Sequence, residues 1–217
     1  EEAKAGGCNL IVTHHPLIFH APRRITGDTA QQRIIERALC SGIAIYSAHT
    51  SLDNAPRGLN RHAAALLGLE GVKPLVPSDL IEGAGSGAVG TLPKPLSGPE
   101  FVALVKARFG SPVVRCSAAI DRYSSGVQIS RVALCTGSGS SMLADAERSG
   151  AQVFLTSDTR YHDFIDHGRE SLMIADIGHH ESELAARDIF YRLISEKFSN
   201  FAVRLSESDI ANPIIYA

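Results

Sequence analysis

The chain has 217 residues, 21 Lys and Arg against 23 Asp and Glu, a formal net charge of −2, and 44% apolar residues. That balance excludes a disordered or coiled-coil chain and provides no electrostatic footprint for nucleic acid or an anionic membrane. No run reaches the roughly 18 apolar residues of a membrane span and no signal-peptide layout opens the chain, so a cytoplasmic protein with a substantial core is expected.

The opening EEAKAGG reads as the last turns of a helix closed by Gly6 and Gly7, which implies a strand and helix upstream. Short apolar runs follow at 9–13, 43–48, 131–136, 152–156 and 171–176, each with the composition of a strand buried on both faces. Between them lie helical patterns at 29–41, at 56–67 opening with Pro56, at 141–149 and at 180–198. Ser97, Pro99 and Glu100 mark a capping-box start for a further helix ending near Gly110. Strand alternates with helix, which predicts largely parallel, helix-covered sheets in an α/β fold. The Pro- and Gly-rich stretch at 77–98 places a lobe boundary near residue 78. The expected first lobe is 1–77, completed by residues 200–217, and the second is 78–199. Cys8, Cys40, Cys116 and Cys135 show no CxxC spacing and read as reduced, buried thiols.

Six of the nine histidines (His14, His15, His49, His162, His179 and His180) fall just after a strand or near its C-terminal end, where α/β sheets place ligand sites. In VTHHPLIF, Pro16 holds His15 extended, and adjacent extended residues point apart, so the two imidazoles suit two neighbouring ions. The alternative is a polar loop with two solvated histidines. In YSAHTSLD, Asp53 offers a hard oxygen ligand four residues after His49, although Asp53 or Asn54 could instead cap the helix beyond Pro56. In DIGHHESE, His179 and Glu183 are four apart and share one helix face, with Glu183 able to bridge two ions; His180 and Glu181 then point elsewhere, into solvent.

Two glycine-rich stretches carry less. GSGAVG (85–90) fits GxGxxG but is followed by TLPKP, so no helix N-terminus receives a pyrophosphate. TGSGSS (136–141) lies between a strand and a helix but lacks the P-loop lysine, and reads as a tight turn rather than a phosphate cradle. TSDTRYHDF (156–164) offers Asp158, Arg160, His162 and Asp163, either as an acid–base group and ligand-orienting partner or as a helix start capped by Asp158. His49 and His162 are the candidates for proton transfer.

LIVTHHPLIF, IAIYSAHTSLDNAPRGLN, CTGSGSS, VFLTSDTRYHDF, ADIGHHESE and ANPI, in this order, resemble the Nif-three-like family, the Ngg-interacting-factor-three proteins that include the GTP cyclohydrolase 1 type 2 homologs. The resemblance spans essentially the whole chain. It implies a two-lobed α/β protein with a dinuclear metal site in the inter-lobe cleft, assembled as a homohexamer, and the ligand set His14, His15, Asp53, His179 and Glu183. It also implies N-terminal strands that precede this sequence. Ser157 stands where the family commonly has glycine, and Arg160 where it commonly has lysine.

Two functions from different classes follow. Two divalent ions carry about +4, and two carboxylates with a bridging hydroxide leave about +1, so a hydrolase built on this site favours an anionic small molecule such as a nucleotide or phosphate ester. The alternative is a non-enzymatic metal-handling or scaffold protein. Imidazole and carboxylate ligands without thiolate suit zinc, iron, manganese or nickel.

Overall fold

In the computed structural model the residues described are 1–168, 171–208 and 211–215. The elements in chain order are α1 (Glu2–Ala5), β1 (Leu10–Thr13), α2 (Ala30–Cys40), β2 (Ala44–Ser47), α3 (Thr50–Asp53), α4 (Leu59–Leu66), β3 (Glu70–Lys73), β4 (Val76–Pro77), β5 (Gly85–Ser86) and β6 (Ala88–Leu96). They continue with α5 (Gly98–Phe109), β7 (Arg115–Cys116), α6 (Ile120–Ser124), β8 (Ile129–Ser138), a 3-10 turn at Ser140–Met142, α7 (Leu143–Arg148), β9 (Val153–Ser157), α8 (Tyr161–Asp166), β10 (Met173–Asp176), α9 (His179–Glu183) and α10 (Ala186–Lys197). Two units result: Glu1–Leu52 with Ala186–Ala211, and Asp53–Ala185 with Asn212–Ala217.

The second unit is built on a six-stranded sheet in the order β3-β6-β8-β9-β10-β7. Side chains alternate along its central strands, as the pleat requires. Val132, Leu134, Val153, Leu155, Met173 and Ala175 enter one core with Phe101 and Val105 of α5 and Ala63 and Ala64 of α4. Ala133, Phe154 and Ile174 face the other way, onto Leu143 and Ala146 of α7. Because α4 contributes to the first of these cores, it belongs with the sheet, and residue 78 lies inside the second unit rather than at a boundary.

The sheet is mixed, not largely parallel. β8, β9 and β10 run parallel, but β3–β6, β6–β8 and β10–β7 pair antiparallel, as do β4 and β5. β6 occupies the stretch that its prolines and glycines make look like a linker. Its ladder with β8 shifts register between Thr91 and Leu96, the interval holding Pro93 and Pro95, so neither proline breaks a regular pairing.

Three helices also depart from the pattern. The helix expected from Pro56 starts at Leu59, with Gly58 at its N-cap. The one expected over 141–149 is a 3-10 turn followed by α7. The one expected over 180–198 is broken into α9 and α10. The capping box of α5 forms as its sequence dictates: Ser97 Oγ accepts from Glu100 N–H and the Glu100 carboxylate accepts from Ser97 N–H at 2.8 Å.

The first unit contains the parallel pair β1–β2, in register from Leu10↔Ala44 to Thr13↔Ser47. These strands are half-exposed rather than buried on both faces. Glu2 anchors the later chain: its carboxylate accepts from Ser206, Ser208 and Glu207 N–H, which holds its pKa down at about 2. Of the C-terminal residues expected to complete the first lobe, 209, 210, 216 and 217 lie outside the described residues. Among the described residues no helix is long and apolar enough to cross a membrane.

Candidate metal centre

In the first unit the β1–β2 ladder continues past the strand ends: Ala48 N–H donates to Thr13 O and His49 N–H to His14 O, at 3.2 and 2.9 Å. This brings His49 beside the THHP turn. His49 itself takes a positive φ of 42°, which turns the chain into α3. The imidazoles of His14, His15 and His49 then cluster, with ring centroids 4.8 Å (His14–His15), 5.7 Å (His14–His49) and 5.6 Å (His15–His49) apart. The expectation that His14 and His15 point to opposite sides is therefore corrected. β1 ends at Thr13, whose hydroxyl donates to the carbonyl of His15 at 2.8 Å, and this turn folds the two rings together.

In the second unit the site grows from the C-terminal ends of the three parallel strands. β8 ends in Thr136, Gly137 and Ser138, β9 in Ser157, and β10 in Asp176, after which Gly178 caps α9. His179 and Glu183 lie one turn apart, as their spacing dictates, with His179 Nε2 3.0 Å from Glu183 Oε2. The other ring nitrogen, Nδ1, faces Asp158 Oδ2 at 2.6 Å. The Glu183 carboxylate raises the His179 pKa to about 9, against the opposing effect of burial and with help from Asp158.

Room for Glu183 comes from Gly137. With φ at +66°, it presents bare backbone where a Cβ would lie 2.2 Å from Glu183 Oε1. Ser182 ties α9 to the sheet by accepting from Gly137 N–H at 2.9 Å and from the Ser157 hydroxyl at 3.2 Å, while donating to His179 O. The serine at 157 thus has a partner that a glycine would lack.

Asp53 closes α3, and since α4 begins six residues later at Leu59 with Gly58 at its N-cap, Asp53 does not cap it. The buried amide of Asn60 holds it in place: Nδ2 donates to Asp53 O at 3.1 Å and Oδ1 accepts from Thr136 N–H at 2.9 Å. Asp53 and Glu183 both act on Cys135, whose thiol is pushed up to about 12 by burial first and then by these two negative charges.

Other expected residues lie differently. His162 is exposed on α8, its ring against Tyr161. Asp158 is not the cap of that helix; Arg160 occupies the N-cap and its N–H donates to Asp163 at 2.7 Å, leaving Asp158 for His179. Glu181 is not simply solvated, since Asn212 of the ANPI segment donates to it at 2.8 Å. Cys40 is exposed rather than buried.

The family model described as Duf34/NIF3 (NGG1p interacting factor 3) matches residues 1–213. The chain belongs to this family. A NIF3-family relative from Clostridium perfringens, named GTP cyclohydrolase 1 type 2 homolog, is 36% identical over 183 residues, 84% of this chain and 68% of its own length. One of the same name from Nostoc is 36% identical over 188 residues, 87% of this chain and 70% of its own. The crystal structure of a Bacillus cereus protein related to NIF3 superimposes with a TM-score of 0.86 at 22% identity, over all of this chain and 85% of that one, which shows the fold.

Within this NIF3 chain the sequence did not single out Gly137, Asn60 or Ser182. The signal for Gly137 was present as a glycine at a strand end, but a positive φ beside a carboxylate is a property of the partner as much as of the glycine.

Proposed function

We propose that this protein binds two divalent metal ions through His14, His15, Asp53, His179 and Glu183, and uses them to hydrolyse an anionic small molecule of the nucleotide or phosphate-ester class. The observation that carries the reading is His179: a carboxylate on Nδ1 sets its tautomer and aims Nε2 at a second, buried carboxylate, the arrangement by which proteins orient a metal-ligating imidazole. Imidazoles and a carboxylate such as those of His14, His15 and Glu183 are donors that a divalent ion takes, and Gly137 leaves the space Glu183 occupies. The residues fit the group.

A bound divalent ion supplies Lewis acidity and a water acidic enough to ionise near neutral pH. Asp158 then keeps Nδ1 of His179 engaged, so that Nε2 is the nitrogen that must give up its proton to bind. We assign proton movement to His49, whose ring lies beside those of His14 and His15. The name borne by the relatives, GTP cyclohydrolase 1 type 2 homolog, belongs to the same class of a nucleotide and a hydrolytic reaction.

The test is metal reconstitution of stripped protein with zinc, manganese, iron and nickel, followed by elemental analysis and a turnover screen of nucleotides and phosphate esters. Two ions per chain are expected, with Glu183→Ala losing metal and activity and His180→Ala keeping both. Binding without turnover by any substrate would favour a metal-handling role; no binding would overturn the proposal.

A further inference from the structure

Asp176, the last residue of β10, is 5% exposed, and both of its carboxylate oxygens are engaged. Oδ1 accepts from Arg115 Nε at 3.3 Å; Oδ2 accepts from an Arg115 terminal nitrogen at 2.7 Å, from Thr159 N–H at 2.7 Å and from the Thr159 hydroxyl. The same Arg115 nitrogen also donates to Thr159 O at 3.0 Å and lies 3.4 Å from its Oγ1, and the guanidinium sits over the Phe164 ring. Thr159 is therefore gripped at its N–H, its carbonyl and its hydroxyl.

What that grip controls is the residue before it. Asp158 sits at φ +56°, a left-handed conformation that residues other than glycine adopt only when their surroundings impose it. From that conformation its carboxylate meets His179 Nδ1. We propose that Arg115, Asp176 and Thr159 form a positioning clamp for His179, fixing Asp158 in its left-handed turn so that the imidazole presents Nε2 to the metal. The clamp rests on the metal-binding reading above, but it acts on a ring orientation that exists without metal. None of its three members ligates; each acts through Asp158.

The test uses Asp176→Asn in the full chain, with two readouts: affinity for zinc by competition with a chromophoric chelator, and the imidazole 15N shifts of His179 in metal-free protein. Asp176→Asn should weaken zinc about tenfold, the scale on which ligand-orienting partners act, and move the His179 15N shifts away from their wild-type values. Asp158→Asn should do the same, and the double variant should lose no more than Asp158→Asn alone. Losses that multiply would overturn the proposal, because the clamp would then act by another route. So would a folded Asp176→Asn with wild-type affinity and unchanged 15N shifts. If Asp176→Asn does not fold, Thr159→Val carries the same two measurements, with Thr159→Ser expected to restore both. Wild-type protein that binds no zinc overturns the metal reading and leaves the clamp to be judged by the 15N shifts alone.

Discussion

Replacing Gly137 by alanine separates two costs that usually travel together. The first is backbone: an L-residue at φ +66° pays about 1–2 kcal/mol, or about 2–4 °C in Tm for each kcal/mol in a chain of this size. The second is local. The new Cβ would stand 2.2 Å from Glu183 Oε1, and an ordinary contact near 3.4 Å requires the carboxylate to withdraw by about 1 Å. Glu183 is 9% exposed and the end of a flexible side chain, so it can move, but a metal site tolerates only about 0.5 Å of misplacement. Gly150 supplies the control: its φ is +73°, and nothing lies within 4 Å of its Cβ direction. Gly137→Ala and Gly150→Ala should therefore lose similar amounts of Tm, while only Gly137→Ala loses zinc affinity, by about 10- to 100-fold. Thermal unfolding of the stripped proteins and chelator competition at pH 7.5 measure the two quantities. Equal zinc affinity in the two variants would refute the assignment of Glu183 as a ligand seated on Gly137.

In metal-free protein the folded-state pKa of His179, about 9, lies above its unfolded value of 6.5. Its stabilisation is fully present below pH 6.5 and lost as pH rises towards 9, on the order of 2 kcal/mol after solvent screening. Urea unfolding should show wild type exceeding Asp158→Asn at pH 6 and the gap closing by pH 9.5; a constant gap would count against the pairing. Burial raises the Cys116 thiol to about 11 and the Cys135 thiol to about 12, whereas Cys40 is exposed. Iodoacetamide followed by intact-mass analysis should label Cys40 first, and Cys116 and Cys135 only on unfolding. Ser97→Ala removes the α5 capping box and should cost about 1 kcal/mol of stability by denaturant titration, without changing zinc affinity.

The strands legible in the sequence are those with a continuous apolar run. The five strands it marks are β1, β2, β8, β9 and β10, and among the described residues every parallel pairing is made among them. Every antiparallel pairing involves a strand it did not mark: β3, β4, β5, β6 or β7. Those are short, or carry proline and glycine, as β6 does at Gly90, Pro93 and Pro95, so they lack the continuous apolar run that was the signal. At the site, His179 and Glu183 were legible because helical spacing alone places them together. The closeness of His14 and His15 was not, because a hydroxyl-to-carbonyl bond from Thr13 reverses what an extended backbone predicts. The turn that gives Asp158 to His179 depends on Asp176 and Arg115, which lie 18 and 43 residues away along the chain.

The amide of Asn60 has a consequence for how such chains can change. It is 2% exposed, and through its two ends the segment SLDNAPRGLN grips the strand end of CTGSGSS, 76 residues further on. The grip depends on residue 60, because the Asp53 carbonyl and the Thr136 N–H that its amide engages are backbone groups which any residue but proline at 136 retains. A chimera that imported SLDNAPRGLN from a relative with another residue at 60 would leave the Thr136 N–H and the Asp53 carbonyl without this partner, at about 1–3 kcal/mol, and release Asp53 from its place. Libraries that vary both stretches while keeping Asn60 should therefore yield folded members far more often than libraries that vary residue 60 as well.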